Sequence, residues 1–93
     1  MEIEIYGKQG CAKCKTTKNK LTHFMGKWGL ADHVSVQFFD MDTPEGMAEG
    51  MFNDVSDELP TTIIRRESES VARWDGEIPG TNAIRECVAA AAS

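Results

Sequence analysis

The order of apolar and polar residues changes character twice within the first 30 positions. Residues 2–6, Glu-Ile-Glu-Ile-Tyr, alternate with a period of two, which is typical of a β-strand. From residue 11 onward the spacing becomes three and four residues, which places the side chains on one face of an amphipathic helix. That face consists of Cys11, Cys14, Thr17, Leu21, Phe24, Met25 and Trp28. The pattern predicts a strand, a short loop over 7–10, and a helix that ends near Gly29.

Residues 34–39, Val-Ser-Val-Gln-Phe-Phe, predict a second strand, and a second helix follows it. Its start is marked by Thr43 as N-cap, Pro44 in the first turn and Glu45 beside it. We expect the apolar residues of this helix to face the core rather than to form a surface for partners. The core prediction concerns Met47, Met51 and Phe52, which line one face of the helix together with Val55.

The last third of the chain predicts a hairpin and a helix. The β-branched run 61–64 and the run 71–74 are joined by the polar link 65–70, which suits antiparallel strands. A turn over 76–80 follows, and then a helix whose apolar face carries Ile84, Cys87, Val88 and Ala91. The predicted order is therefore β-α-β-α-β-β-α, an α/β fold. Its first three elements form a right-handed parallel crossover, and helices cover both faces of the sheet.

Length and charge narrow the function classes. We expect the 93 residues to form one domain, 1–93, and a monomer. A net charge of −5 disfavours a nucleic-acid partner, since phosphates repel an acidic protein. We expect no membrane association, because no apolar run approaches the roughly 18 residues needed to span a bilayer. The acidic start does not resemble a signal peptide, so a cytoplasmic location is expected.

The main chemical candidate is the sequence Cys11-Ala12-Lys13-Cys14, between the first strand and the first helix. Two cysteines three residues apart at a helix N-terminus can close a disulfide. The helix dipole and the nearby lysines favour a thiolate, so we expect a lowered pKa for Cys11 and a nucleophilic role. Cys14, one turn further along, would then be the resolving thiol. The lysines near this pair are Lys8, Lys13, Lys15, Lys18 and Lys20.

The same cysteine spacing occurs in zinc and iron–sulfur sites, and structural zinc usually has four ligands. The other possible ligands are Cys87, His23 and His33. His23 lies nine residues past Cys14 on the same helix, about 13 Å along the axis at ~1.5 Å per residue. We therefore predict no metal site and no cofactor within one chain. A metal or iron–sulfur carrier that shares a cluster across a dimer remains an alternative, as does a redox-sensing interaction module.

Pro60 precedes the strand at 61–64 and follows an acidic loop. A proline at the start of a strand is common and needs no functional reason. Alternatively, a cis-proline beside the cysteines would expose backbone groups to an incoming peptide or thiol. The base rate of the cis form is low, about one X–Pro bond in twenty.

With these elements the chain resembles the thioredoxin-like superfamily in its short, glutaredoxin-like form. The shared features are the first strand, the Cys-Ala-Lys-Cys segment, the Leu-Pro-Thr-Thr-Ile-Ile segment and a glycine-containing turn before the last helix. The resemblance implies a four-stranded mixed sheet in the order 2-1-3-4 and a cis Leu59–Pro60 bond. It also implies a thiol–disulfide oxidoreductase with Cys11 and Cys14 as catalytic residues.

The resemblance further suggests which residues meet the substrate. Lys8, three residues before Cys11, resembles the lysine that contacts the glutathione carboxylate, and Thr61 is expected nearby with Pro60. From the residues alone, two interpretations of the lysines around the cysteine pair stay open: a solvated face, or a role for Lys8 or Lys13 in tuning the thiolate or contacting an acidic substrate. The substrate would be a disulfide-containing protein or a small thiol, and the electron donor either a reductase or glutathione.

For the remaining candidate residues the sequence indicates structural roles. We expect Cys87, Trp28 and Trp74 to pack in or against the core, and His23 and His33 to face solvent. Asp40 and Asp42, between a strand and a helix start, are expected to form a turn rather than a metal site.

Overall fold

The computed structural model describes residues 1–89 and contains seven elements. Their bounds are β1 Glu2–Gly7, α1 Ala12–Lys27, β2 Ser35–Asp40, α2 Pro44–Phe52, β3 Thr61–Arg66, β4 Glu69–Asp75 and α3 Thr81–Val88. The predicted order β-α-β-α-β-β-α is confirmed. Thr43 caps α2 as expected, its Oγ1 accepting the Gly46 N–H at 3.0 Å. Ala91, predicted to extend the face of the last helix, lies outside the described residues.

The four strands form one mixed sheet in the order β2-β1-β3-β4, which confirms the predicted order 2-1-3-4. β1 pairs with β2 in parallel and with β3 in antiparallel, and β3 pairs with β4 in antiparallel. The register places Thr61, the first residue of β3, opposite Tyr6, near the end of β1. The chain before β3 and the chain after β1 therefore meet at the same edge of the sheet.

One face of the sheet, named here the apolar face, carries Ile3, Ile5 and Ile64, all fully buried. Helices α1 and α3 cover this face through Leu21 and Ile84. In the part of the chain that the structure describes, the buried cluster comprises Ile3, Ile5, Leu21, Met25, Leu30, Val34, Ile64, Ile84 and Val88. The predicted spacing along α1 is confirmed, since its buried residues are Cys14, Thr17, Leu21 and Met25.

The opposite face, named here the polar face, carries Glu4 and Tyr6, because successive strand residues point to opposite sides. Arg65 Nε donates to Glu4 Oε1 at 2.9 Å, and the Tyr6 hydroxyl donates to the same oxygen at 3.2 Å. Asn53, which follows α2, donates to the Tyr6 hydroxyl at 2.9 Å and accepts from Arg65. Burial and the neighbouring Glu4 carboxylate raise the pKa of the Tyr6 phenol. Hydrogen bonds therefore satisfy the polar groups on this face.

The predicted packing of α2 is wrong. Met47 is 50% exposed, Met51 77% and Phe52 86%, whereas Gly46 and Gly50 are the buried residues of this helix. A Cβ at Gly46 would overlap the backbone carbonyl of Asp40, and one at Gly50 would lie 2.5 Å from the Met41 side chain. The helix approaches β2 so closely that its glycine side fits there and its large apolar side chains point outward.

The expectations for the remaining packing residues are confirmed. Trp28, Trp74 and Cys87 are partly buried against the core, and burial raises the pKa of the Cys87 thiol. His23 and His33 are exposed.

Asp40 forms the expected turn after β2. Its Oδ1 accepts the Asp42 N–H at 2.8 Å. Within residues 1–89, no helix is both long and apolar enough to cross a bilayer.

Candidate active site

Cys11 and Cys14 form a disulfide at the start of α1, with their Cα atoms 5.2 Å apart. Cys11 is the N-cap residue and has an extended backbone, with φ −91° and ψ 110°. Its Sγ accepts the backbone N–H of Cys14 at 3.2 Å. The N-cap position is usually occupied by an oxygen side chain that accepts the same kind of bond. In the reduced protein, a Cys11 thiolate would occupy this acceptor position at the positive end of the helix dipole.

The two sulfurs differ in access to solvent. Cys11 is half-buried, whereas Cys14 is only 1% exposed. Cys14 can occupy its buried position because Gly7, the last residue of β1, has no side chain. A Cβ on Gly7 would lie 2.8 Å from both Cβ and Sγ of Cys14. Sequence reasoning placed Gly7 at the start of a loop and missed this contact. Its only signal was a glycine directly after an alternating strand and four residues before Cys11.

Pro60 is buried and follows a cis Leu59–Pro60 peptide bond. Its carbonyl accepts the Gly76 N–H at 2.9 Å. Gly76 has φ +76°, a conformation that side chains rarely adopt, and it begins the turn after β4. The prediction of a cis-proline is confirmed, and Gly76 is its partner, a residue that the sequence identified only as part of a turn.

Lys13, between the two cysteines, donates from its Nζ to the Gly76 carbonyl at 3.2 Å. Because Gly76 also bonds Pro60, one residue links the cysteine segment, the turn after β4 and the proline segment. Lys20 repeats this contact two turns along α1, donating to the Pro79 carbonyl at 2.8 Å. In this structure the Lys13 side chain is hydrogen-bonded to the turn after β4. A contact between Lys13 and a substrate stays a prediction.

Thr61 is fully buried directly after Pro60. Its Oγ1 lies 3.1 Å from Asp75 Oδ1 and 3.4 Å from the Glu58 carbonyl. The pKa of the Asp75 carboxyl is lowered, chiefly because Arg73 donates hydrogen bonds to it. Burial acts in the opposite direction, and the hydrogen bond from Thr61 lowers the pKa further. The Thr61 hydroxyl thus joins β3 to the end of β4. A substrate contact of Thr61 stays a prediction.

An open pocket of about 710 Å³ lies beside Cys11, on the side of α1 that faces β2. Its lining comprises Lys8, Gln9, Gly10, Cys11, Ala12, Lys15, Lys18, Phe38 and Asp40. Lys8 therefore lies where sequence reasoning expected it, next to the outer cysteine. Its Nζ is 4.0 Å from Asp42 Oδ1, and both side chains are about half exposed, so the ion pair is weak. Phe38 and Lys18, which were not predicted as site residues, complete the pocket.

The described part of the chain, residues 1–89, holds no cluster of three or more His, Cys, Asp or Glu side chains with the geometry of a metal site.

Solved structures similar to this chain include thioredoxins. Thioredoxin 1 from Thermosipho africanus TCF52B matches with a TM-score of 0.75 and 17% identity, over 97% of this chain and 92% of that chain. Thioredoxin O2 from Arabidopsis thaliana in its oxidized state matches with a TM-score of 0.74 and 13% identity, over 96% and 72%. The oxidised thioredoxin from Plasmodium falciparum matches with a TM-score of 0.67 and 14% identity, over 99% and 81%.

No protein-family model and no curated protein matches the sequence. The similarity to the solved structures therefore establishes the fold. The chain has the thioredoxin fold, as the sequence resemblance implied, with a CxxC disulfide in it.

Proposed function

We propose that this protein is a thiol–disulfide oxidoreductase that reduces or exchanges disulfides through Cys11 and Cys14. One observation carries the proposal: the two cysteines form a disulfide at a helix N-terminus, with Cys11 accessible and Cys14 covered. This asymmetry suits a two-step exchange, in which the accessible sulfur meets the substrate and the covered one acts afterwards. The thioredoxin fold supports the proposal.

The reaction starts from the reduced protein. The Cys11 thiolate attacks one sulfur of the substrate disulfide, so that a Cys11–substrate disulfide forms and the other substrate sulfur leaves as a thiolate. Cys14 then loses its proton and attacks Cys11 Sγ, which closes the Cys11–Cys14 disulfide and releases the second substrate thiolate. The protons end on the released thiols. One substrate disulfide is reduced by two electrons, and the protein dithiol is oxidised by two.

The test is reduction of insulin disulfides with dithiothreitol as the electron donor. We expect Cys11→Ser to abolish protein-catalysed turnover. The Cys14→Ser protein, reduced and then freed of dithiothreitol, should accumulate a mixed disulfide with insulin that mass spectrometry detects. Cys87→Ser is the matched control, because Cys87 lies on α3 and is not paired. Wild-type turnover by the Cys11→Ser protein would rule out the proposal.

Elemental analysis and a visible spectrum of anaerobically purified protein test the metal-carrier alternative. Stoichiometric iron or zinc that only chelators remove would favour a carrier over an oxidoreductase. A Cys11–Cys14 pair that forms reversibly without any turnover would favour a redox-sensing module.

The partners of the reaction are part of the proposal. The substrate would be a disulfide-containing protein or small molecule bound near Pro60, Thr61, Lys8 and Lys13. The electron donor would be a reductase or glutathione, and the protein would act as a cytoplasmic monomer. Turnover assays with each donor in turn distinguish a reductase from glutathione.

A further inference from the structure

The pocket beside Cys11 has an unusual distribution of charge for this protein. The chain is acidic overall, with 15 Asp and Glu residues against 10 Lys and Arg residues. All of its lysines nevertheless fall between residues 8 and 27, and the stretch from Ile5 to Ala31 contains no acidic residue. Three of those lysines, Lys8, Lys15 and Lys18, line the pocket.

Lys15 and Lys18 are the two pocket lysines that α1 supplies. They are three residues apart, a spacing that brings side chains onto one helix face. Both are exposed, and within residues 1–89 no carboxylate oxygen lies within 4.0 Å of either Nζ. The Lys18 Nζ lies 5.2 Å from the centre of the Phe38 ring, which forms an apolar wall of the pocket. These two ammonium groups are therefore available to an anionic ligand.

The acidic groups near the pocket do not cancel this charge. Among residues 1–89, Asp40 is the one acidic residue in the lining, and its Oδ1 already accepts the Asp42 N–H. Asp42 itself is paired, weakly, with Lys8. Three ammonium groups thus face one lining carboxylate. Because Cys11 lines the same pocket, a ligand bound there would have its reacting atoms next to the accessible sulfur.

We propose that this pocket selects low-molecular-weight disulfides that carry carboxylates, with Lys15 and Lys18 as specificity-determining residues. The volume of about 710 Å³ is in the range of pockets for small molecules. The carboxylates meet the two ammonium groups, the apolar part of the substrate contacts Phe38, and one sulfur faces Cys11. The inference rests on the proposed function and specifies its substrate class.

Three small disulfides of different charge test the proposal. They are dithiodipropionate with two carboxylates, bis(2-hydroxyethyl) disulfide without charge, and cystamine with two ammonium groups. The second-order rate constant for oxidation of the pre-reduced protein is measured for each by acid quench, alkylation and mass spectrometry. Each value is divided by the rate constant of the same disulfide with dithiothreitol, which removes differences in intrinsic reactivity.

We expect the normalised rate constants to fall in the order dithiodipropionate, hydroxyethyl disulfide, cystamine. The first should exceed the second about tenfold at low ionic strength, which is the lower range of electrostatic rate effects. The ratio of the dithiodipropionate to the hydroxyethyl disulfide rate constant should drop below about twofold in the Lys15→Met, Lys18→Met double variant. It should drop equally for the wild type in about 1 M salt, where the screening length is roughly 3 Å. Methionine removes the charge and keeps a long side chain at each position, and both positions are exposed, so the variant should fold.

Lys27→Met is the matched control, because it removes a lysine from the last turn of the same helix, outside the pocket lining. Its charge preference should equal that of the wild type. Equal normalised rates for the three disulfides would overturn the proposal, as would a preference that survives the double variant or is lost equally in Lys27→Met.

The neutral disulfide separates this inference from the proposed function. A protein that reacts with bis(2-hydroxyethyl) disulfide but shows no charge preference retains the proposed function and lacks the proposed selectivity. A protein that reacts with none of the three disulfides overturns both.

Discussion

The two faces of the sheet are stabilised in different ways. The apolar face is covered by α1 and α3, whose side chains interlock with isoleucines such as Ile3 and Ile64. The polar face carries the hydrogen-bonded group of Glu4, Tyr6 and Arg65, and α2 approaches this side of β2. On the apolar face, α1 and α3 fill the space against the sheet with large side chains. On the polar face, the backbone of α2 itself lies close to the end of β2.

This difference decides where hydrophobic spacing predicts packing correctly. On α1, the buried residues carry apolar or small side chains that recur at helical spacing. The spacing of these residues in the sequence therefore identifies the side of the helix that faces the sheet. On α2, the inward side is Gly46 and Gly50, which have no side chain to form a pattern. Met51 and Phe52 are apolar and nevertheless exposed. An apolar stripe therefore identifies the inward face of a helix only where side chains fill the gap to the sheet.

The largest effect is expected for Leu21→Ala on α1. Leu21 is fully buried in the main cluster, so its truncation leaves a cavity under the helix. We expect a loss of about 3 kcal/mol in the free energy of unfolding, within the usual range for a buried leucine. Urea unfolding followed by far-UV circular dichroism measures it. A loss below about 1 kcal/mol would mean that the apolar face relaxes around the gap.

An intermediate effect is expected for Gly46→Ala on α2. The added methyl group meets the Asp40 carbonyl, which is backbone and cannot rotate away, so we expect a loss of about 2 kcal/mol. Gly26→Ala on α1 is the matched control, because a Cβ there meets nothing within 4 Å. The control should gain about 0.5 kcal/mol from the higher helix propensity of alanine. Equal effects at the two glycines would contradict close packing of α2.

The smallest effect is expected for Met51→Gln. The side chain is 77% exposed, so its change removes little buried apolar surface. We expect a change within about 0.5 kcal/mol of zero, as for ordinary surface substitutions. The same urea experiment checks it. A loss of about 2 kcal/mol would restore the core role that the sequence pattern suggested for this residue.

The candidate site was predictable in part. Cys11 and Cys14 are recognisable from spacing and from their place between a strand and a helix, since both are local features. Pro60 came from the resemblance to a known superfamily, because local physics alone favours a trans bond. Gly7 and Gly76 carried no chemical signal, although one makes room for Cys14 and the other joins Lys13 to Pro60.

The sequence by itself determined the order of elements, the inward face of α1 and the position of the reactive pair. These depend on the period of apolar residues and on helix starts, both of which act over a few neighbouring positions. The tertiary structure decided that α2 packs through glycine and that Phe38 joins Lys15 and Lys18 in one pocket. Such outcomes depend on the distance between elements that are far apart in the chain, and residue spacing carries no information about that distance.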